Sequence, residues 1–266
     1  MRRPLRLCLL LIGWLLSAQG VSAQHSDLQA AARDPWKGVV YSIDGSAHLR
    51  TMTSDLRRAV EKANLPLQVE SVDWSHGAGR VFSDLYGQSH HRAQALELVD
   101  RIKARRQANP TERIYVVSHS AGAAVALAAA DGLPSDALER VILLAPAVSA
   151  TYDLRPALRS ARAGIDVFFS RKDLISLSLN VIGTTDGRHA SAGINGFDVI
   201  PEEADRPLYA KLRQFSWNSS MSRSGNYGGH FGFTRLGFFE TSIVPLLSQG
   251  SSAPGLTSNE KQQSAD

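Results

Sequence analysis

The spacing of apolar and polar positions changes in a regular way along the chain. Short apolar and β-branched runs, such as GVVYSI at 38–43, are separated by longer segments in which apolar residues recur every three or four positions. Short strands that alternate with helices are typical of a mostly parallel sheet with helices on both faces. We therefore predict an α/β fold, with strands at 38–43, 67–74, 114–117, 141–145, 165–169 and 214–217 and helices at 53–63, 89–106, 122–130, 208–212 and 236–247.

The pattern becomes weaker after residue 173. Residues 176–230 are rich in Gly, Ser, Asn and Asp, and apart from one helix and one strand we predict long functional loops there. Residues 249–266 are too polar to pack and are predicted to be disordered. The chain has 266 residues, of which 43% are hydrophobic, and this predicts a single domain over residues 24–248.

Residues 1–23 have the layout of a secretory signal peptide. Three arginines at the start precede an apolar run from Leu7 to Leu16, and the small residues at 21–23 place the cleavage site after Ala23. The apolar run is about ten residues long, whereas a membrane-spanning helix needs roughly 20. Pro4 and Leu5 fit the twin-arginine pattern poorly, so general secretion is expected. The sequence predicts a secreted or periplasmic protein with no stable membrane span after cleavage.

Removal of this segment changes the interpretation of charge and cysteine content. The formal net charge of +4 includes three arginines of the predicted signal, which contains no acid, so the mature chain carries only +1. This near-neutral charge gives no reason to expect nucleic-acid binding. The only cysteine, Cys8, also lies in the predicted signal. The mature protein is therefore expected to have no disulfide, thiol nucleophile or cysteine metal site.

The segment around Ser120 places a strand, a sharp turn and a helix in succession. The predicted strand at 114–117 continues into Ser118-His119-Ser120-Ala121-Gly122, and an alanine-rich helix follows at once. Small residues at 118 and 122 let the two elements approach closely, and the turn between them would project the serine hydroxyl above the sheet edge. We predict that Ser120 is a nucleophile.

A serine hydroxyl needs a base to take its proton, and the base needs an acid that holds its tautomer. The acid is expected after a later strand and the histidine last in the chain. Asp173 follows the predicted strand at 165–169, and His230 lies in a glycine-rich loop before the last helix. We predict Asp173 as the acid and His230 as the base. Asp186 and Asp198 remain alternatives for the acid, although Asp186 heads an Asp-Gly pair typical of a turn.

Backbone N–H groups near Ser120 are candidates for stabilising an oxyanion. The N–H of Ala121 lies at the start of the predicted helix, where the helix dipole is positive. The second donor should come from the loop after the first strand, Asp44-Gly45-Ser46. We predict the Ser46 N–H as this donor, with Gly45 as the second choice.

The chain resembles the α/β-hydrolase superfamily over residues 37–248, as a compact member without the first two strands of larger members and without a large lid domain. Residues 183–197 (GTTDGRHASAGINGF) and the Gly-Gly-His loop resemble uncharacterised bacterial hydrolases. The sequence departs from the family at Ser118, where the elbow usually has glycine. The resemblance implies a catalytic role for Ser120, Asp173 and His230 only, since these positions match both the motif and the chain order.

Other histidines and glycines have simpler explanations than catalysis or ligand binding. His189 is the alternative to His230 or a residue lining the pocket, and His119 is interpreted as packing at the elbow. His90 and His91 are adjacent at a helix start and make a poor metal site. The glycines between 183 and 196 do not lead from a strand into a helix, so no nucleotide site is predicted. We expect neither a metal nor a cofactor.

The sequence therefore predicts an exported serine hydrolase that cleaves a carboxylic ester of a small molecule. An acyltransferase or amidase with the same triad, and an inactive binding protein on the same fold, remain alternatives. The short interval between the strands at 141–145 and 165–169 leaves no room for a large lid, which favours small or soluble esters. Four aromatic residues are candidates either for the apolar walls of the site or for the core: Trp74, Trp217, Tyr227 and Phe231. The sequence leaves the oligomeric state open.

Overall fold

Six parallel strands form the centre of the structure, a computed structural model that describes residues 37–46, 51–77, 79–187, 190–199 and 201–249. The predicted signal peptide and the predicted tail beyond Gln249 lie outside the described residues. In chain order the strands are β1 Gly38–Ile43, β2 Leu67–Ser71, β3 Arg113–His119, β4 Arg140–Leu144, β5 Ile165–Phe169 and β6 Leu212–Ser216. Their order across the sheet is β2-β1-β3-β4-β5-β6, and every neighbouring pair is parallel.

Helices connect these strands in most of the crossovers. They are α1 Thr51–Lys62, α2 Val81–Tyr86, α3 Gln88–Ala108, α4 Gly122–Asp131, α5 Arg155–Ser160, α6 Leu174–Ile182, α7 Ala192–Asn195, α8 Arg206–Tyr209, α9 Leu236–Phe238 and α10 Val244–Ser248. Short 3-10 turns occupy Glu203–Asp205, Ser219–Ser224 and Gly232–Thr234, and a π turn, Phe239–Ile243, separates α9 from α10. No helix among these residues has both the length and the apolar character needed to span a membrane.

Alternate residues of the central strands point to opposite faces of the sheet, and each face is covered. On one face Val39 and Val116 belong to an apolar core shared with α3, α4 and α5. On the other face Val40 and Val117 pack with α1 and the C-terminal helices. Strands buried on both faces read as continuous apolar runs rather than as alternating patterns, as in the RVILL sequence of β4. The predicted fold, a parallel sheet with helices on both faces, is confirmed.

The predicted boundaries differ from the observed ones in a few places. The second strand ends at Ser71 rather than at 74, and the predicted helix at 208–212 is the earlier and shorter α8. The closing helix predicted at 236–247 is interrupted by the π turn before Pro245. Proline has no N–H to donate to a carbonyl of the preceding turn, and this explains the interruption.

Two short helices, α2 and α6, lie where the sequence pattern indicated no helix. The α6 sequence, LISLSLNVI, has apolar residues on nearly all sides, so it shows no clear amphipathic period. The α2 helix has only six residues, too few for a periodic signal. The prediction of long loops over 176–230 is therefore wrong for residues 176–182, which belong to α6. Both helices contribute to the site described next.

Candidate active site

The chain turns sharply at Ser120, between β3 and α4. Ser120 has a φ of +53°, a left-handed conformation that is uncommon for a residue with a side chain. Its N–H donates to the Leu144 carbonyl at 3.0 Å, and its own carbonyl accepts from the N–H groups of Ala147 at 3.0 Å and Ala123 at 3.1 Å. These bonds hold the strained turn against the end of β4 and direct the serine side chain away from the sheet.

The turn depends on the absence of a side chain at Gly122. A Cβ atom at this position would lie 2.6 Å from the Asp44 carbonyl oxygen and 2.7 Å from that of Ile43. The end of β1 therefore passes directly over the start of α4. At the other small position of the motif, Ser118 is fully buried, and its hydroxyl has no hydrogen-bond partner within the described part of the chain.

Three of the side chains singled out in the sequence meet at this turn. The His230 Nε2 lies 2.8 Å from the Ser120 Oγ, and the His230 Nδ1 lies 2.7 Å from the Asp173 Oδ2. Asp173 is fully buried, and His230 is only 6% exposed. The structure thus brings Ser120, His230 and Asp173 into one hydrogen-bonded line, although they are far apart in sequence.

The Asp173 carboxylate also begins α6. Its Oδ1 accepts from the Ser176 N–H at 2.9 Å as the N-cap of the helix, and its Oδ2 accepts from the Ser176 hydroxyl at 2.7 Å. Burial would raise the pKa of this carboxyl, but the His230 hydrogen bond and charge, together with the two bonds from Ser176, hold the pKa below its ordinary value. The carboxylate is therefore kept ionised. Sequence analysis missed Ser176, for which its position three residues after the capping Asp173 was the available signal.

His119, interpreted from sequence as packing, has a defined contact. Its Nε2 donates to the His230 carbonyl at 3.1 Å, and its ring lies against the rings of His230 and Phe231. Complete burial, together with the neighbouring His230, lowers the pKa of His119 to about 3. His119 is therefore a neutral imidazole that ties the His230 loop to the end of β3.

The loop after β1 is held beside Ser120 by the Asp44 side chain. The Asp44 carboxylate accepts from the N–H groups of Met52 at 3.1 Å and Thr53 at 3.3 Å and from the Thr53 hydroxyl. The Trp74 Nε1 donates to the Asp44 carbonyl at 2.8 Å. These bonds fix the loop to α1 and to the chain after β2, and sequence analysis had assigned Asp44 only to a turn.

The candidate oxyanion donors lie next to Ser120. Gly45 and Ser46 line the same cavity as Ser120, and a Cβ atom on Gly45 would lie 3.2 Å from the Ser120 Cβ. Ala121 directly follows Ser120 and is fully buried at the start of α4. The N–H groups of Gly45, Ser46 and Ala121 donate to no backbone acceptor within the described part of the chain.

The alternative candidates have other contacts. The Asp186 carboxylate accepts from the Ser149 N–H at 3.0 Å and from the Thr184 hydroxyl, and Asp198 is exposed. His189 lies outside the described residues. The adjacent histidines donate to separate carbonyls, with His90 bonded to Trp74 and His91 to Asp84.

A cavity of about 370 Å³ opens beside the Ser120 hydroxyl. The apolar part of its wall comes mainly from the two helices missed in the sequence: Val81, Phe82 and Leu85 of α2, and Ile175, Leu179 and Ile182 of α6. Of the four aromatic residues considered as walls, Phe231 lines the cavity. Trp74 is buried, Trp217 donates to the Asn226 carbonyl at 2.9 Å, and Tyr227 is exposed. The space beside Ser120 therefore suits an apolar group.

The strand order and the strand-turn-helix at Ser120 define the α/β-hydrolase fold in a compact form, and the part of the chain that the structure describes contains no large lid domain. Comparison with family models gave no match, and no curated protein sequence matched the chain. Solved structures that resemble it include an α/β serine hydrolase without lid from Xanthomonas campestris, with 15% identity, a TM-score of 0.46 and coverage of 81% of this chain and 84% of that one.

Two further solved structures are similar at the same level. A lipase-esterase related protein from Clostridium acetobutylicum has 9% identity and a TM-score of 0.46, covering 80% of this chain and 93% of that one. A CIB-like hydrolase from Thermoplasma acidophilum has 14% identity and a TM-score of 0.44, covering 79% and 86%. Likenesses at these scores carry no argument about activity, which must come from the residues around Ser120.

The close approach at Gly122 predicts a sensitive position. We expect Gly122→Ala to lower the free energy of unfolding by about 2 kcal/mol or more, because the new methyl group would contact two backbone carbonyls that cannot move independently. Gly229→Ala is the control, because a Cβ there meets nothing within 4 Å, and its effect should stay within about 0.5 kcal/mol. Urea unfolding measures both, and equal losses would contradict the steric explanation.

The neutral, buried His119 predicts a pH dependence of stability. The ordinary pKa of this imidazole is 6.5, and its pKa in the folded protein is about 3. Between these two pH values the unfolded chain binds a proton at His119 that the folded protein does not bind. The contribution of His119 to stability is therefore complete above this window and falls as the pH decreases through it. This group would contribute a loss on the order of 5 kcal/mol across the window. His119→Gln can retain a donor to the His230 carbonyl but removes the titration. Urea unfolding at several pH values should give a flatter profile for the variant, and parallel profiles would contradict the assignment.

Proposed function

We propose that the protein is a serine hydrolase that cleaves a carboxylic ester through an acyl-enzyme intermediate. The observation that carries this proposal is the hydrogen-bonded line from the Ser120 hydroxyl through His230 to the buried Asp173 carboxylate. Asp173 stays ionised at neutral pH because its pKa is lowered. Its carboxylate accepts a hydrogen bond from the His230 Nδ1–H, which would leave the His230 Nε2 free to take the serine proton.

The proposed reaction has two steps. The His230 Nε2 removes the proton from the Ser120 hydroxyl as the serine oxygen attacks the ester carbonyl, and the imidazolium then gives this proton to the departing alcohol as the ester C–O bond breaks. In the second step the same imidazole takes a proton from a water molecule as the water oxygen attacks the acyl-serine carbonyl. The imidazolium then returns this proton to the Ser120 oxygen as the bond between that oxygen and the acyl carbon breaks, which releases the carboxylic acid and restores the serine hydroxyl. In both steps the N–H groups of Ala121 and Ser46 would stabilise the oxyanion, with Gly45 as the alternative to Ser46.

The cavity supports an ester with an apolar acyl or alcohol group. Apolar side chains of α2 and α6 form much of its wall, and Ser120, His230 and the loop at Gly45 supply polar groups where the ester would react. This arrangement is typical of pockets in which apolar surface supplies affinity and a few polar groups set orientation.

Labelling with a fluorophosphonate probe tests the proposed nucleophile. We expect one adduct per protein on Ser120 by intact mass and peptide mapping, because only an activated serine reacts quickly with the probe. Ser120→Ala should abolish the adduct. Ser178→Ala is the matched control, since Ser178 lines the same cavity and has its hydroxyl bonded to the Ile175 carbonyl. A folded protein that gives no adduct would contradict the hydrolase proposal and favour a binding role.

We also propose that the protein acts outside the cytoplasm, either secreted or in the periplasm. The support is the pattern of residues 1–23. Expression of the full chain in a Gram-negative host should give a soluble periplasmic or extracellular protein whose N-terminal sequence begins at Gln24, whereas a chain lacking residues 2–23 should remain in the cytoplasm. An uncleaved chain in the cytoplasmic fraction would overturn this proposal.

A further inference from the structure

The mouth of the cavity is surrounded by exposed apolar side chains. Val81, Phe82, Ile175, Ile182 and Phe231 all line the cavity, and each is at least 45% exposed to solvent, with Phe82 reaching 71%. Burial of such side chains in the core would have been favourable, so their joint exposure around one opening is unusual for a surface that contacts only water. We call these five side chains, together with the exposed Tyr86 of α2 and Leu174 and Leu177 of α6, the apolar rim.

The apolar rim extends beyond the cavity itself. Leu174 and Leu177 of α6 are exposed by 74% and 46% and do not line the cavity. Tyr86 of α2 is likewise exposed and outside the lining. A small dissolved substrate would need only the cavity wall, so the additional exposed leucines indicate contact with a surface larger than one substrate molecule.

The two helices of the apolar rim are joined to each other. The Tyr86 hydroxyl donates to the Ile182 carbonyl at 2.8 Å, and the Phe82 and Tyr86 rings are stacked with their centroids 6.4 Å apart. The end of α2 is thus fastened to the end of α6 beside the opening. The rim is therefore a single preformed surface, which lowers the entropic cost of docking.

The distribution of charge along α2 and α6 also favours contact with an apolar surface. The α6 sequence has no acidic or basic residue, and the only one in α2, Asp84, is fully buried, where it accepts from the His76 N–H at 2.8 Å. Arg80 and Arg171 lie just before α2 and α6, respectively, and both are exposed. An apolar centre flanked by arginines is complementary to the surface of an anionic lipid assembly, which offers buried hydrocarbon and negative headgroups.

We propose that the apolar rim docks the protein on the surface of an anionic lipid assembly, and that the ester cleaved at Ser120 is a lipid ester whose chain passes from that surface into the cavity. The second half of this statement rests on the proposed hydrolase function, whereas the docking does not. This substrate class differs from the small or soluble ester expected from the sequence, because α2 and α6 were not visible there.

Adsorption to vesicles tests the docking without any catalysis. Ser120→Ala protein, from residue 24 onward, is sedimented with vesicles of phosphatidylcholine containing phosphatidylglycerol and with vesicles of phosphatidylcholine alone. The Leu174→Gln/Leu177→Gln double variant is compared with Leu96→Gln, since Leu96 is 64% exposed on α3, outside the apolar rim. Phe82→Gln on α2 provides a second test if the double variant loses its circular dichroism spectrum.

We expect the parent to bind the vesicles containing phosphatidylglycerol more strongly, with affinity falling as salt is added. The double variant should bind about tenfold more weakly, equivalent to about 1.4 kcal/mol, and Leu96→Gln should bind like the parent. Absent binding, or equal losses in Leu96→Gln, would overturn the docking. A concentration-dependent dimer that the double variant loses, without vesicle binding, would instead assign the rim to a second copy of the chain.

Fluorophosphonate labelling keeps the two proposals separate. Labelling of Ser120 without vesicle binding would leave the hydrolase and remove the docking, whereas vesicle binding without labelling would leave the docking and remove the hydrolase. Where both hold, the active protein should release fatty acid from these vesicles. The double variant should lose about tenfold in this rate while retaining its rate on a dissolved short-chain ester. Equal rate losses on both substrates would contradict an interfacial role.

Discussion

The contact between the end of β1 and the start of α4 fixes the geometry of the site. Two backbone carbonyls, those of Ile43 and Asp44, lie where a side chain on Gly122 would be, and this lets β3 turn into α4 with Ser120 in a left-handed conformation. The same contact brings the loop containing Gly45 and Ser46 beside the serine. The position of the candidate nucleophile and that of its candidate oxyanion donors therefore follow from one steric constraint rather than from two separate ones.

A second layer of contacts holds the candidate base. His230 belongs to a glycine-rich loop, and its ring is held by Asp173 and its carbonyl by His119. Because His119 is the last residue of β3 and immediately precedes Ser120, the base is tied to the nucleophile through the backbone as well as through the Nε2 contact. The glycines let the loop backbone adopt the conformation that places His230 beside Ser120. The hydrogen bonds to Asp173 and His119 then hold the loop in that conformation.

Sequence alone predicted the framework better than the walls of the site. The β5 strand has its predicted bounds because IDVFF is a buried run that ends at a turn, and the chain order placed Asp173 and His230 where they meet Ser120. Their catalytic roles remain predictions. Periodicity could not reveal α6, whose apolar residues face nearly every direction, and no local signal pairs His119 with a carbonyl 111 residues away. Such contacts depend on tertiary packing. The pattern of apolar and polar residues does not show which of several similar side chains will meet in the folded protein.

The double role of Asp173 has a consequence for how substrate preference could change. One carboxylate both accepts a hydrogen bond from His230 and caps α6, so the first turn of α6 is fastened to the candidate base. A mutation that moved this turn would also misalign the imidazole. In the proposed hydrolase, residues of the cavity wall outside this turn, such as Leu179 and Ile182 of α6 and those of α2, could change without moving the imidazole. For the proposed reaction, one end of the wall is therefore constrained by the position of the base, whereas the other end could change shape independently of it.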